Sequence, residues 1–228
     1  MKERFNGIDI NYYYDTNNSE TLVCLLHGLT MSASMYPLDR FASDYFKLGY
    51  DVLRFDFIGH GDTISNTLDM TIKEEINEAM HMILKFKDKY KKLILVGHSQ
   101  GGVVASYIAK DLNPDILILL APAFNLKDMI QNGNFFGKKI KENKPIHIWN
   151  MHLSYEYLMD ALTEEYYKIY VNKVFWIHGE NDILVPNKTV QMFKNVQKSI
   201  NFTTIFGSDH EFIGHYDELW HVMKTLSY

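Results

Sequence analysis

Short runs of consecutive apolar residues recur along the chain, separated by longer segments with helical periodicity. Because these runs are nearly continuous rather than alternating, they predict strands that are covered on both faces. The predicted strands are residues 21–28, 50–56, 92–97, 115–122, 173–179 and 200–206. The predicted helices are about residues 35–48, 71–90, 100–111, 187–199 and 214–226. This alternation predicts an α/β fold with a mostly parallel central sheet and helices on both faces.

Two segments depart from this alternation. The pair Asn6 and Gly7, between short alternating stretches at residues 4–15, predicts an antiparallel hairpin near the start. From about residue 124 to 170 there is no clear strand, and the segment is too long for a simple connection. It predicts a short helical lid insertion that borders a site, the alternative being an irregular helix pair that completes the core. Residues 1–228 are expected to form a single domain.

Composition and charge exclude several classes of protein. The chain is 46% hydrophobic and 22% charged, and its net charge of −5 argues against a nucleic-acid partner. The start lacks the features of a secretory signal, and no apolar run reaches membrane-spanning length, so we expect a soluble, cytoplasmic protein. Cys24 lies in an apolar run, which predicts a buried free thiol rather than a nucleophile. The oligomeric state stays open.

A serine between two glycines is the strongest chemical signal in the sequence. Ser99, in "VGHSQGG", follows a predicted strand and precedes a predicted helix. Gly97 and Gly101 flank it at the spacing of a nucleophile elbow, the sharp turn that exposes a reactive serine. The alternative is a glycine-rich connection that contains an incidental serine. A catalytic serine also needs a base, an acid behind that base and donors for the oxyanion.

The loops after the last two predicted strands supply the partners. The chain order Ser99, Asp182, His210 is the one expected when a nucleophile elbow sits on an open parallel sheet. Asp182 is favoured as the acid because it lies deeper in its loop, just before the apolar "ILVP", and Glu180 remains the alternative. We expect His210 to be the base.

Two backbone N–H groups are candidates for an oxyanion hole. One belongs to Gln100, directly after the serine, and the other to Leu29, in the turn after the first parallel strand. Gly28 would let the backbone approach the serine closely, and His27 is expected to be a structural hydrogen-bonding residue. His98 is expected to point away from the serine hydroxyl.

The motifs together resemble those of the α/β-hydrolase superfamily over nearly the whole chain. The segments that carry this resemblance are "LLHGLT", "RFDFIGHGDT", "VGHSQGGVVAS", "LLAPAF", "IHGENDILVP" and "GSDHEF". Within the superfamily, "GHSQGGVVAS" with "FDFIGHGDT" is most similar to the bacterial cinnamoyl and feruloyl esterases and their carboxylesterase relatives. The resemblance implies the α/β-hydrolase fold and ester hydrolysis through an acyl-enzyme.

The resemblance also implies roles for individual residues. It implies Ser99 as nucleophile, Asp182 and His210 completing a catalytic triad, and Leu29 and Gln100 as oxyanion donors.

In the feruloyl esterases, polar residues of the inserted lid recognise the phenolic end of the substrate. Tyr157 is the candidate for that contact here, with simple packing as the alternative. The insertion is shorter than in those esterases, which weakens the implication of feruloyl specificity but not that of ester chemistry.

Other chemistries fit the sequence poorly. The histidines of "HEFIGH", residues 210–215, are five apart instead of four, so they would not share a helical face and no metal site is predicted. "DFIGHGDT" lacks a full glycine fingerprint, and no cofactor is expected. The predicted function is hydrolysis of small apolar or aromatic esters, hydroxycinnamoyl esters included. The alternatives are a thioesterase or peptidase of the same fold and a binding module without turnover.

Overall fold

A central sheet of eight strands runs through the molecule in the computed structural model, which describes residues 1–63, 65–171, 173–196 and 200–226. The strands, including four short ones outside that sheet, are β1 Lys2–Phe5, β2 Ile8–Asp15, β3 Thr21–Leu26, β4 Asp51–Phe55, β5 Lys92–His98, β6 Ile116–Leu120, β7 Asn134–Phe135, β8 Lys138–Lys139, β9 Ile146–Ile148, β10 Met151–Leu153, β11 Val174–Gly179 and β12 Ile200–Ile205. The α-helices are α1 Leu38–Lys47, α2 Ile72–Lys87, α3 Gln100–Leu112, α4 Leu126–Gln131, α5 Tyr155–Asp160, α6 Asn187–Val196 and α7 Tyr216–Leu226.

The strand order in the sheet is β1-β2-β4-β3-β5-β6-β11-β12. From β4 to β12 all neighbours are parallel, whereas β2 is antiparallel to both β1 and β4. Asn6 and Gly7 form the turn between β1 and β2 with positive φ angles of 46° and 84°, which suits the two-residue turn that their pair predicts. The predicted α/β fold with a mostly parallel sheet is confirmed.

Helices cover the sheet on both faces. Along β3, Leu22, Cys24 and Leu26 belong to one apolar cluster, and Val23 and Leu25 belong to the cluster on the opposite face. The first cluster includes residues of α2 and α3, and the second includes residues of α1 and α7. Double burial explains why this strand is continuously apolar. Cys24 is a buried free cysteine, as predicted, and burial raises the pKa of its thiol.

The segment from residue 124 to 170 differs from its prediction. It contains the expected short helices α4 and α5, but also two antiparallel hairpins, β7 with β8 and β9 with β10. Strands of two or three residues are too short to produce a recognisable apolar pattern. Phe135 and Tyr157 are fully buried in the main core, while Trp149 is 51% exposed. The segment, called the insertion below, therefore both completes the core and presents a surface.

The last helices lie close to their predicted positions. α6 ends at Val196, and the predicted continuation over residues 197–199 lies outside the described residues. Among the helices of the described ranges, none combines the length and the apolar character that crossing a membrane requires.

Candidate active site

Ser99 lies at the corner where β5 ends and α3 begins. Its φ of 53° falls in a region that residues other than glycine seldom adopt. A Cβ atom at Gly97 would lie 2.3 Å from the Gly101 carbonyl oxygen, and one at Gly101 would lie 2.4 Å from the His27 carbonyl oxygen. A side chain at either glycine would push the strand and the helix apart, so the corner requires both.

Three side chains from separate loops meet at this corner. His210 Nε2 lies 2.9 Å from Ser99 Oγ, and His210 Nδ1 lies 2.7 Å from Asp182 Oδ2. Asp182 follows β11 and His210 follows β12, so the parallel sheet brings both loops to the same edge as the end of β5. Asp182 and His210 are both buried. In this geometry an imidazole is able to take a proton from a serine hydroxyl.

The carboxylate of Asp182 is oriented by its own loop. Its Oδ1 accepts hydrogen bonds from the N–H groups of Leu184 at 2.9 Å and Val185 at 2.8 Å. These two bonds turn Oδ2 towards His210. A carboxylate held in this way orients the imidazole.

Glu180, the other acid that the sequence left open, has a different partner. It is exposed, and its Oε2 accepts a hydrogen bond from Gly207 N–H at 3.0 Å. It therefore braces the neighbouring loop, and of the two acids it is Asp182 that reaches His210.

The loop after β3 passes directly beside Ser99. A Cβ atom at Gly28 would lie 2.8 Å from Ser99 Cβ, so the close approach depends on glycine. Thr30, with a φ of 66°, donates its N–H to His60 Nε2 at 3.1 Å. This bond fixes the backbone around Leu29, a residue that lines the pocket next to Ser99.

Three buried histidines support these loops. Desolvation lowers the pKa of His27 to about 4 and those of His60 and His98 to about 3. At neutral pH each ring is uncharged, with one N–H donor and one acceptor nitrogen. His27 Nε2 accepts from Phe57 N–H at 3.1 Å, and His98 Nε2 donates to the His210 carbonyl oxygen at 3.0 Å. They act as structural hydrogen-bonding groups, in agreement with the expectations for His27 and His98.

Tyr157, the candidate for a contact with substrate, does not line the pocket that opens onto Ser99. It is fully buried, and its O–H donates to Gln100 Oε1 at 2.5 Å. Gln100 Nε2 in turn donates to Glu75 Oε2 at 2.8 Å. The phenol points into the core below the corner because α5 packs against α2 there. The structure therefore shows Tyr157 packed in the core, with its hydroxyl hydrogen-bonded to Gln100.

A pocket of about 330 Å³ opens onto Ser99 and His210. Two aromatic residues of the insertion, Phe136 and Trp149, line it, and the acidic residue Glu211 is also part of its lining. The remaining lining residues are Leu29, Thr30, Met31, Leu184 and Val185. A pocket of this size and lining suits a small apolar or aromatic group.

Sequence reasoning missed several residues that shape the site. Phe136 and Trp149 were hidden in an insertion where aromatic residues are common. Glu75 carried a usable signal: it lies directly before Ile76 and three residues after Ile72 on a helix, so an acid occupies the apolar face. A buried acid requires a partner. Within the described ranges, no three His, Cys, Asp or Glu side chains are grouped to hold a metal ion.

A protein-family model described as Hydrolase_4, serine aminopeptidase, S33, matches residues 17–165, which is more than half of the chain. The chain belongs to this family. The matched range of this hydrolase contains Leu29, Ser99 and Gln100. The resemblance to the α/β-hydrolase superfamily that the motifs carry is confirmed.

Two mycoplasma proteins are similar to this hydrolase in sequence. The "Putative esterase/lipase 2" of Mycoplasma genitalium is 24% identical over an alignment that covers 90% of this chain and 87% of that protein. The protein of the same description from Mycoplasma pneumoniae is 28% identical, over 72% of this chain and 73% of that protein.

One solved structure is similar to this hydrolase in fold over the whole chain. Est1E from Butyrivibrio proteoclasticus, in a structure with ferulic acid bound, is 26% identical and superposes with a TM-score of 0.90. The superposition covers 100% of this hydrolase and 97% of that chain. The similarity to bacterial esterases that the sequence indicated is confirmed.

Proposed function

We propose that this carboxylic ester hydrolase cleaves small apolar or aromatic esters through an acyl-enzyme on Ser99. The observation that carries the proposal is the position of His210. Its Nε2 lies 2.9 Å from Ser99 Oγ, and its Nδ1 lies 2.7 Å from Asp182 Oδ2. Ser99 also faces an apolar pocket that would admit an ester.

In the proposed reaction, Ser99 Oγ attacks the ester carbonyl carbon while its proton passes to His210 Nε2. Asp182 stabilises the resulting imidazolium. When the tetrahedral intermediate collapses, the bond to the alcohol oxygen breaks and His210 returns the proton to the departing alcohol. Water then attacks the acyl group with His210 again as base, which releases the acid and restores the Ser99 hydroxyl.

The oxyanion of each tetrahedral intermediate would be held by the N–H groups of Leu29 and Gln100. Within the described part of the chain, neither N–H has a hydrogen-bond acceptor, so both are free to bind a ligand oxygen. Gln100 is the first residue of α3, where the positive end of the helix dipole favours negative charge. Gly28 allows Leu29 to approach closely enough.

The lining of the pocket supports the substrate class. Phe136 and Trp149 offer aromatic surface beside Ser99, and Leu29, Leu184 and Val185 add aliphatic surface. A flat aromatic acid or a short acyl chain fits about 330 Å³. The ferulic acid bound in the similar Est1E structure is of this class.

One observation favours a second substrate class. The pocket is lined in part by Glu211, whose side chain carries a carboxylate. A free α-ammonium group would pair with that carboxylate, which suits aminoacyl esters or amides, and the family model is described as a serine aminopeptidase. The same acyl-enzyme chemistry would serve these substrates.

A substrate panel with a Ser99→Ala control tests the proposal. The panel contains p-nitrophenyl acetate and butyrate, methyl ferulate, an acyl thioester and an amino-acyl p-nitroanilide. We expect the esters to give the largest kcat/KM and the variant to lose about 10⁴-fold or more of it, because the nucleophile is removed. Faster turnover of the anilide would transfer the assignment to the peptidase class.

Labelling with a fluorophosphonate probe separates turnover from binding alone. We expect wild-type protein to be labelled and the Ser99→Ala variant to stay unlabelled, with equal melting temperatures as proof of folding. Folded wild-type protein that neither reacts with the probe nor hydrolyses any substrate would indicate a binding module. A Ser99→Ala variant with undiminished activity would remove Ser99 from the mechanism.

A further inference from the structure

A chain of three buried polar side chains connects the insertion to the corner that carries Ser99. Tyr157 of α5 donates to Gln100 Oε1 at 2.5 Å, and Gln100 Nε2 donates to Glu75 Oε2 of α2 at 2.8 Å. The exposed fractions of the three residues are 0%, 1% and 1%. Both polar atoms of the Gln100 amide are therefore bonded, and neither bond is shared with solvent.

This chain is costly because its three polar side chains are removed from water. Removing a phenol, an amide and a carboxyl group from water is unfavourable unless their hydrogen bonds are replaced. Burial raises the pKa of Glu75 well above its ordinary value. An apolar side chain at position 100 would fill the same space without that desolvation. The cost points to a role that packing alone would not perform.

The position of Gln100 indicates what the chain holds. Its backbone N–H belongs to the same peptide unit as the Ser99 carbonyl group, so fixing that unit fixes the direction of the N–H. On one side, the Ser99 carbonyl oxygen accepts hydrogen bonds from Gly102 N–H and Ala123 N–H, each at 3.0 Å. On the other side, the anchored side chain restrains the Cα atom of Gln100.

The backbone at this corner needs such restraint. Ser99 has a φ of 53° and a ψ of −119°, which is unfavourable for a residue with a side chain. Strained conformations of this kind persist only where the surrounding structure fixes them on several sides. If one anchor is lost, the peptide unit between Ser99 and Gln100 is free to relax, and its N–H turns with it.

We propose that Gln100 is a positioning residue whose side chain, held between Tyr157 and Glu75, aims its own backbone N–H at the oxyanion. This inference rests on the proposed function. The insertion, through Tyr157, thus contributes to stabilising the transition state without touching the substrate. Since the oxyanion forms only during the reaction, a loosened anchor lowers kcat and leaves KM nearly unchanged.

The first test compares two tyrosines of the insertion. Tyr157→Phe removes the O–H that holds Gln100, whereas Tyr167→Phe removes a buried O–H that donates to the Ala161 carbonyl oxygen at the same 2.5 Å. We expect kcat for p-nitrophenyl butyrate to fall about 10-fold to 100-fold in the first variant, since small displacements of a catalytic group have effects of that order. The second variant should stay within about 2-fold of wild type. Rates are divided by the number of active sites titrated with a fluorophosphonate, so loss of folded protein does not count.

The second test uses the other end of the chain. Glu75→Gln keeps an oxygen that accepts from Gln100 Nε2 and should retain nearly wild-type kcat, because the hydrogen bond that anchors Gln100 is preserved. Glu75→Met removes that acceptor and should lower kcat as Tyr157→Phe does. This pair also tests the inference if Tyr157→Phe yields no soluble protein.

A transition-state analogue distinguishes positioning from a general loss of structure. A trifluoromethyl ketone forms a tetrahedral oxyanion with Ser99, so its inhibition constant should rise across the variants in proportion to the loss of kcat/KM. Equal kcat and equal analogue affinity in Tyr157→Phe and Tyr167→Phe would overturn the inference. The proposed function fails separately, if wild-type protein shows neither turnover nor labelling at Ser99.

Discussion

The loops at the edge of the sheet and the insertion contribute to the pocket in different ways. The segments that follow β5, β11 and β12 carry Ser99, Asp182 and His210. The His210 ring lies 2.9 Å from Ser99 Oγ and 2.7 Å from Asp182 Oδ2. The insertion presents two aromatic side chains, Phe136 and Trp149, to the same pocket. The side chains of Ser99, Asp182 and His210 are thus positioned by the sheet, and the surface that would meet a substrate comes partly from a separate segment.

The two regions also differ in what supports them. Asp182 is oriented by N–H groups of its own loop, so its position depends on local backbone geometry. The insertion is joined to the corner at Ser99 through side chains, with the Tyr157 hydroxyl hydrogen-bonded to the Gln100 side chain. The difference teaches that substitutions in the loops should affect every substrate, whereas substitutions in the insertion should affect particular substrates or the efficiency of one step.

The largest effect is expected from the acid in the loop after β11. Asp182→Asn should lower kcat about 10⁴-fold for every ester, because the amide no longer favours the correct tautomer and charge of His210. Glu180→Gln is the matched control, since an amide oxygen also accepts from Gly207 N–H, and its kcat should stay within about 2-fold of wild type. Steady-state kinetics on two unrelated esters would measure both. Similar losses in the two variants would count against the assignment of Asp182.

A smaller and more selective effect is expected in the insertion. Trp149→Ala should raise KM for methyl ferulate about 10-fold and change hydrolysis of p-nitrophenyl acetate by less than about 3-fold, because only the larger acid reaches the indole. Tyr170→Ala is the control, since Tyr170 is 47% exposed against 51% for Trp149 and does not line the pocket. An equal loss for both esters would show that the insertion does not select substrates.

The smallest effect concerns the stability of the helix beneath the insertion. Burial raises the pKa of Glu78 from 4.5 to about 8. Because the pKa is higher in the folded state, the contribution of Glu78 to stability is greatest below pH 4.5. It falls as the pH rises from 4.5 and is lost above about 8. The melting temperature of wild-type protein should therefore fall more between pH 6 and 9 than that of Glu78→Gln, by about 5 °C. In Glu78→Gln the side-chain amide oxygen still accepts a hydrogen bond from Ile58 N–H, which lies 2.9 Å from Glu78 Oε2 in the wild-type protein.

The buried residues His27, His60 and His98 are expected to make stability depend on pH in the opposite direction. Their lowered pKa values mean that the unfolded chain binds more protons below about pH 6.5, so stability falls as the pH drops towards 4. Melting temperatures at pH 7, 6 and 5 should decline more steeply in Glu78→Gln than in wild type, because only wild type gains stability from the raised pKa of Glu78 as the pH falls through this range. Parallel declines would mean that the pKa of Glu78 is not raised in the folded protein.

Much of the architecture was predictable because its signals are local. Continuous apolar runs marked the six parallel strands, and the turn pair Asn6 and Gly7 marked the hairpin before them. The spacing of Gly97, Ser99 and Gly101 marked the corner, since a strand that meets a helix so sharply excludes side chains at the flanking positions. The hairpins of the insertion were missed because strands of two or three residues have no measurable periodicity.

By itself the sequence determined the fold, the corner at Ser99 and the chain order of its candidate partners, because local periodicity and the rules of parallel sheets suffice for these. Tertiary structure decided that Asp182 and not Glu180 reaches His210, since that depends on which way a loop turns. It also decided that Tyr157 meets Gln100, 57 residues earlier, inside the core. Contacts between distant side chains depend on how packed elements orient them, and no local pattern encodes that orientation.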